Sequence, residues 1–385
     1  MPRIRPRDIW QARAINKALL ALLPVCRDIG SARNELRWLK EHAVAVSHQR
    51  TGHHSQANVL SGLVRRRALG EPLQYILGSE YFGALEIKCR HGVLIPRPET
   101  AASTSHLARL ISSLESSDDS QDSPLRVLDL CTGSGAIPLL FHHTYYSDSA
   151  ERGRRLELVG VDISSDALSL ARENLIHQIA QQGKHYANDK GRTRSLQSMG
   201  FVQADVLGDY HDTADARNPL ALREALERLH SDTPSPSFDI VISNPPYISP
   251  ASFQSTTARS VRQFEPKLAL VPPMNTSLLS DTDLADQFYP KLLDAAEDVH
   301  AKVVLFEVAD MEQAGRVATM AVGRGVWQTI EIWRDEPSAG TEQDLIITGA
   351  RVLVRGAGHG RSVLAYRAGS NSQKCLAATD GAGDK

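Results

Sequence analysis

The sequence predicts an α/β protein: a mostly parallel sheet covered on both faces by helices, preceded by a small helical domain and a β-hairpin. Three observations lead there. From residue 125 onward, strand-like apolar runs alternate with helical stretches, the pattern of a parallel sheet with crossover helices. Residues 8–69 repeat apolar side chains at helical spacing. Between them, residues 70–100 contain EYFGALEIK, a hairpin pattern with Gly83 near its turn.

The whole chain sets the bounds. Its 385 residues suit one large or two modest domains, and 42% hydrophobic content supports a sizeable core. A formal net charge of −2 offers no global basic field for nucleic acid. Cys26, Cys89, Cys131 and Cys375 are widely spaced, with no CxxC pair, zinc pattern or disulfide framework. No metal site is expected, and a reducing compartment is. No apolar run reaches the roughly 18 residues that span a membrane.

Taken in order, residues 1–69 read as the helical domain, with Ile9, Ala12, Ile15, Ala18, Leu19 and Leu22 on one face. Residues 1–22 carry Arg3, Arg5, Arg7, Arg13 and Lys17 against Asp8. That stretch is compatible with a mitochondrial transit segment, or with the first helix of the domain. Residues 70–100 form the hairpin linker and 101–367 the sheet domain. RVLDL (126–130), LELVGVDI (156–163), FVQADVL (201–207), FDIVIS (238–243) and KVVLFEV (302–308) supply five strands. VWQTIEIW (326–333) and RSVLAYR (361–367) complete seven. Residues 112–124 read as a polar linker, 182–199 and 208–237 as polar insertions, and 368–385 as a disordered tail.

The candidate site gathers at the carboxyl ends of the strands, where open α/β sheets bind ligands. The run DLCTGSG contains Asp129, Cys131, Thr132, Gly133, Ser134 and Gly135, directly after the first strand. Glycines there let backbone approach a ligand. A third glycine of the pyrophosphate-binding GxGxxG is absent, and Asp129, read as lying in the turn, would repel a pyrophosphate but favour an ammonium. Asp162 ends the second strand, where a carboxylate can take a ribose diol. Asp205 and Val206 end the third, where adenine would lie. S-adenosylmethionine, with an ammonium and no phosphate, fits this set.

The fourth strand ends abruptly in SNPPYIS (243–249). Asn244 offers a side-chain carbonyl, Pro245 a backbone carbonyl held by a rigid turn that Pro246 continues, and Tyr247 an aromatic ring expected to be exposed. Two fixed acceptors can take both hydrogens of a planar NH2 group and aim its nitrogen at a methyl donor. Tyr247 can pack on the flat group, and Asn244 also faces the cofactor. Such a site works by orientation and preorganised acceptors. Cys131 has no nearby histidine in sequence and reads as a small packed residue rather than a nucleophile.

PLQYILGSEYFG (72–83), GVLIPRPET (92–100), VLDLCTGSGAI (127–137), VGVDIS (159–164), NPPYIS (244–249) and FEPKLAL (264–270) together resemble the HemK family of protein-(glutamine-N5) methyltransferases. The resemblance runs over residues 60–367 apart from the insertions. It implies a seven-stranded Rossmann-like class I methyltransferase domain, S-adenosylmethionine as cofactor, and the glutamine of a peptide chain release factor GGQ motif as substrate. It places cofactor contacts at 131–135, Asp162, Asp205 and Val206, and substrate contacts at Asn244 to Tyr247. Arg97 and Glu99, in the PRPET run, would shape the mouth of the site or form a structural ion pair. Cys131 stands where release-factor enzymes often have glycine. The expectation is a mitochondrial monomer without stable nucleic-acid binding. A cytoplasmic enzyme, a ribosomal-protein glutamine as substrate, and adenine or cytosine amines in nucleic acid are the alternatives.

Overall fold

The computed structural model describes residues 4–49, 55–114, 123–148, 154–185, 189–208, 219–229, 237–274 and 279–367. The predicted tail, the centre of the 112–124 linker and most of the 208–237 insertion lie outside the described residues.

Helices Pro6–Ile15, Lys17–Cys26, Ile29–Gln49, Gln56–Ala68 and Leu73–Leu77 build the N-terminal part. Their shared core holds Ala12, Leu19, Leu22, Leu23, Leu36, Leu39 and Leu63. The basic N-terminal segment therefore contributes packing residues, as a first domain helix does. Arg67 grips Glu35 with two hydrogen bonds of 2.6 and 2.9 Å, tying the fourth helix to the third.

A hairpin follows, β1 (Ser79–Phe82) paired antiparallel with β2 (Leu85–Lys88). Gly83 turns it at φ 58°, where an added Cβ would meet Leu140 Cδ1 at 2.8 Å. The turn thus sits directly on the helix Ala136–Asp148 of the sheet domain.

Among the described residues, ten strands form the main sheet. The predicted seven are β3 (Leu125–Leu130), β4 (Leu156–Asp162), β5 (Gly200–Asp205), β7 (Ile240–Ser243), β8 (Val303–Glu307), β9 (Trp327–Glu336) and β12 (Ala357–Arg367). They lie side by side in the order β9-β12-β8-β7-β3-β4-β5. Only β12 runs antiparallel to its neighbours within this group. Three further strands extend the edges: β6 (Leu220–Ala221) beside β5, and the hairpin β10 (Gln343–Ile347) and β11 (Ala350–Arg355) beside β9. Thr348 and Gly349, both at positive φ, close that hairpin in two residues.

Both faces of the sheet are buried, and the period of two sorts the side chains. Val303 and Leu305 join Val127, Ile240 and Ile242 under the helices Pro98–Leu114 and Ala136–Asp148. Val304 and Phe306 join Leu128, Leu130 and Val241 under Phe288–Asp298 and Met311–Arg324. The stretch read as the insertion 182–199 is helical at both described ends: residues 182–185 continue the helix Ser165–His185, and a second helix Lys190–Gln197, capped by Asp189, buries Leu196. Its single apolar anchor is too sparse a signal for helical periodicity. Among the described residues no helix is long and apolar enough to cross a membrane.

Candidate active site

Strand register sets the site. Leu130 pairs with Val161 and Ser243, and Ser243 with Phe306. One residue further on, Cys131, Asp162, Asn244 and Glu307 leave adjacent strands at one level of one edge. Cys131, Gly133, Asp162, Asp205, Val206 and Asn244 line a cavity of about 700 Å³ there, a size typical of small-molecule sites. The segment 92–94, Ile163, Phe288 and residues of the 266–273 loop complete the wall.

The glycine turn has a steric rationale. Cys131, Gly133 and Gly135 have φ of 62°, 56° and 74°, the left-handed region that glycine enters without penalty. At Gly135 a Cβ would lie 3.0 Å from both Ala171 Cβ and Phe201 Cζ; at Gly133 it would meet no atom within 4 Å. Cys131 accepts the same left-handed backbone with a side chain attached, a conformation that glycine would adopt without strain. Burial raises its thiol well above the ordinary value, and Asp162 and Asp129 raise it further. A neutral thiol is no nucleophile. Thr132 and Ser134 are buried within the turn.

Asp162 locks the turn to the second strand end. Its Oδ2 accepts the Gly133 N–H at 2.8 Å and its Oδ1 the Ser164 N–H at 2.9 Å. Burial raises its pKa, and those two N–H groups pull the other way. Asp205 accepts the Leu207 N–H at 2.9 Å, fixing the turn that brings Val206, Leu207 and Gly208 to the cavity.

Asp129 differs from the sequence reading. It belongs to β3 rather than to the turn, is wholly buried, and neither carboxylate oxygen has a hydrogen-bond partner. Burial pushes its pKa well above the usual carboxylate value, with the Thr132 hydroxyl opposing. Asp162 adds to the rise; a buried carboxyl of this kind avoids the cost of an uncompensated charge by holding its proton. Among the described residues the cavity wall includes two carboxylates and no Lys, Arg or His. Such a wall suits a cationic ligand and opposes a pyrophosphate.

The strand-end motif is also arranged differently from expectation. Asn244 and Pro246 line the cavity, and both Pro245 and Pro246 are buried. Tyr247 is not an exposed platform: its ring packs on the sheet core and its hydroxyl donates to Glu307 Oε1 at 3.1 Å. A phenol that packs against apolar neighbours needs an acceptor for its O–H, and Glu307 supplies one. The helix residue Gln313 holds the motif from behind, donating to the Tyr247 carbonyl at 3.3 Å and to Asp286 at 2.8 Å. Asn244 Nδ2 lies 3.4 Å from Thr100 Oγ1, leaving its Oδ1 as the acceptor at the cavity.

Arg97 does form an ion pair, but with Glu265 rather than with Glu99. Its Nη2 lies 2.7 and 2.8 Å from the two carboxylate oxygens, and the Ile95 N–H donates to the same group. The PRPET segment is thereby clasped to FEPKLAL, whose Pro266, Leu268 and Ala269 line the cavity.

Thr100, Glu265 and Glu307 are not singled out by the sequence alone. The first two sit in motifs that carried the family resemblance. Glu307 had its own signal, a carboxylate inside the otherwise apolar run KVVLFEV.

Comparison with known proteins adds the family. The model for the Eco57I restriction-modification methylase family matches residues 157–269, less than a third of the chain. A Schizosaccharomyces pombe protein, "Probable MRF1 mitochondrial N(5)-glutamine methyltransferase mtq1", is 28% identical over 322 residues, covering 83% of this chain and 89% of its own. The "Release factor glutamine methyltransferase" of Nitratidesulfovibrio vulgaris is 30% identical over 279 residues, 72% of this chain and 73% of its own. Among solved structures, the N-terminal domain of human METTL16 in complex with SAH aligns with a TM-score of 0.42 and 12% identity, over 79% of this chain and 83% of that one. Identity of 30% over 72% of this chain and 73% of that relative shows that the chain belongs to the release factor glutamine methyltransferase family.

Proposed function

We propose that this protein transfers a methyl group from S-adenosylmethionine to the side-chain amide nitrogen of the glutamine in the GGQ motif of a peptide chain release factor. The observation that carries the reading is the orientation of Asn244. Its NH2 is engaged by Thr100, so its oxygen faces the cavity as a fixed acceptor. The reading draws further support from the names of the relatives above.

The residues fit the cofactor. The acidic wall, Asp162 and Asp205 with no basic side chain beside them among the described residues, favours a ligand bearing positive charge. Asp162 would hold the ribose, Asp205 and Val206 the adenine, and the 131–135 turn the amino-acid end. Bound there, S-adenosylmethionine supplies a methyl group on a positively charged sulfur.

The chain's own residues do the rest. An amide nitrogen is a poor nucleophile because its lone pair is delocalised into the carbonyl. Asn244 Oδ1 accepts one amide hydrogen and orients the nitrogen, and the backbone carbonyl of Pro245 takes the other. Fixed acceptors stabilise positive charge growing on that nitrogen without reorganising; the charge is discharged when one of the two amide hydrogens leaves as a proton to solvent. Orientation of this kind is worth about 7–11 kcal/mol at best. Tyr247, tethered to Glu307, buttresses the strand end. Pro266, Leu268, Ala269 and Pro273 present an apolar rim at the cavity, suited to a glycine-rich loop rather than to a charged polymer.

The compartment we assign is the mitochondrion, on the strength of the fission yeast relative, whose length the chain covers almost completely. A second reading, methylation of adenine or cytosine amines, is favoured by the restriction-methylase match. One experiment separates them: transfer of labelled methyl to a mitochondrial release factor, to its GGQ→GGA variant, and to single- and double-stranded DNA. Label on the intact release factor alone is expected. Label on DNA alone would replace the substrate while keeping the NH2 chemistry.

Asp162→Asn tests the cofactor assignment. The new amide would set an NH2 against a backbone N–H and lose the Gly133 or Ser164 bond. A charge-assisted bond of this kind is worth about 1.5–3 kcal/mol, so S-adenosylmethionine binding, read by calorimetry, is expected to weaken roughly 10- to 100-fold.

A further inference from the structure

We infer that Thr100 and Glu307 are positioning residues, which through a chain of hydrogen bonds hold the Asn244 amide with its oxygen toward the substrate. The inference rests on the amide-methylation reading and extends it to residues that need not touch cofactor or substrate.

An asparagine amide is ambiguous by shape. Its two ends have nearly the same size, and a half-turn exchanges an acceptor for a donor. In the wrong orientation, Asn244 would set its NH2 against the NH2 of the substrate. Something must therefore break the symmetry.

The structure supplies it. An ionised carboxylate only accepts hydrogen bonds. Glu307 Oε2 accepts the Thr100 hydroxyl at 2.5 Å, and Oε1 accepts the Tyr247 hydroxyl at 3.1 Å. Thr100 has one hydroxyl hydrogen, and Glu307 takes it. Toward Asn244, 3.4 Å away, Thr100 can then only accept. Asn244 must offer Nδ2 to Thr100 and leave Oδ1 for the cavity. Thr100 and Glu307 are 6% and 5% exposed, so water does not readily substitute for either. Strand register delivers the arrangement: Ser243 pairs with Phe306, which sets Glu307 beside Asn244 on the neighbouring strand.

The direction of the chain depends on the charge of Glu307. Burial pushes its pKa up to about 7, against the Thr100 hydroxyl, the Arg361 guanidinium and the Tyr247 hydroxyl, which lower it, and with Glu99, which raises it. These groups come from the helix Pro98–Leu114, from β12 and from the strand-end loop. From the helix Phe288–Asp298, Tyr289 donates to the Glu307 backbone carbonyl at 2.9 Å. A protonated Glu307 carries a hydrogen of its own. If it donates to Thr100, the Thr100 hydrogen turns toward Asn244, where only Oδ1 can receive it. The amide is then turned over and transfer stops. Activity is therefore tied to the ionised form, present above its pKa and lost as pH falls through it.

The test compares wild type with Thr100→Val, Thr100→Ser and Glu307→Gln, measuring kcat and KM for the release-factor substrate between pH 6 and 9, S-adenosylmethionine affinity and melting temperature. Wild-type kcat is expected to fall about tenfold per pH unit below an apparent pKa near 7. Glu307→Gln, whose side chain can donate as well as accept, is expected to lose about tenfold or more in kcat at pH 8 and to lose that acid limb. Thr100→Val should lose a comparable factor with cofactor affinity within about threefold, and Thr100→Ser should restore most of it. A residue that merely supports packing would lower the melting temperature and leave the limb where wild type has it. An unchanged limb in Glu307→Gln, or wild-type kcat in Thr100→Val, would overturn the inference while leaving the proposed reaction standing. Should Glu307→Gln fail to fold, the comparison of Thr100→Val with Thr100→Ser decides alone. Absence of transfer by wild type to any glutamine amide would overturn the reaction and the inference together.

Discussion

Asn244→Ala is expected to lower methyl transfer by at least about 10²–10³-fold, the scale seen when one preorganised polar group is removed from a reacting centre. The substitution deletes the acceptor that the substrate nitrogen faces and leaves Thr100 Oγ1 without the Asn244 donor. The loss should fall on kcat. Asp162, Asp205 and the glycine turn are untouched, so S-adenosylmethionine binding, followed by calorimetry, should change less than tenfold. Loss of cofactor binding in step with activity would mean that Asn244 holds the cofactor rather than aligns the substrate. Asn244→Asp is a sharper probe. It keeps the shape and the acceptor, but sets an acceptor against Thr100 Oγ1, whose hydrogen already goes to Glu307.

The second large effect is on stability. Arg97→Ala should destabilise the protein by about 2–3 kcal/mol. Removing one partner of a fully buried ion pair costs about 3–5 kcal/mol, because the other charge is left uncompensated. Glu265 is that other charge, with its side chain 1% exposed, while Arg97 is 32% exposed and already shares its charge with solvent. The Ile95 N–H remains as a partner for Glu265 and softens the loss. A fall in melting temperature on the order of 5 °C is the corresponding readout. Activity should fall as well, because the clasp joins the segment before Thr100 to the 266–273 wall. Arg97→Lys keeps the charge but replaces the planar guanidinium, so it should recover part of the stability. If Arg97→Ala melts like wild type, the clasp contributes little to stability.

Much of the site lies in contiguous stretches of sequence, and those stretches were legible. A strand followed by DLCTGSG announces a tight turn, since glycines spaced two apart serve positive φ; Gly133 and Gly135 have it. FDIVIS running into NPPY announces a core strand stopped by rigid residues, and β7 ends at Ser243. Asp162 and Asp205 stand out in the sequence because each closes an apolar run. What the eye could not follow is direction and partner. Asp129 and Asp162 look alike in sequence, each a carboxylate near the end of an apolar run. One is sealed in its strand without a partner and the other binds two backbone amides. The hairpin β10–β11 was missed because its turn, Thr348-Gly349, is not one of the strong turn pairs.

By itself the sequence determined what is local: the strand–helix alternation and so the parallel sheet, the glycine turn, the acidic strand ends, the Asn-Pro-Pro-Tyr stop, and through its motifs the methyltransferase family. These follow from side-chain period, backbone sterics and the chemistry of single residues. Only the tertiary structure decided which way the polar groups point. Thr100 meets Glu307 across 207 positions and Arg97 meets Glu265 across 168. A side chain's period of two states which face it takes, but not which strand lies next to it. The parallel crossovers and their register set that neighbour, and the neighbour settles whether Asn244 shows the cavity its oxygen or its nitrogen.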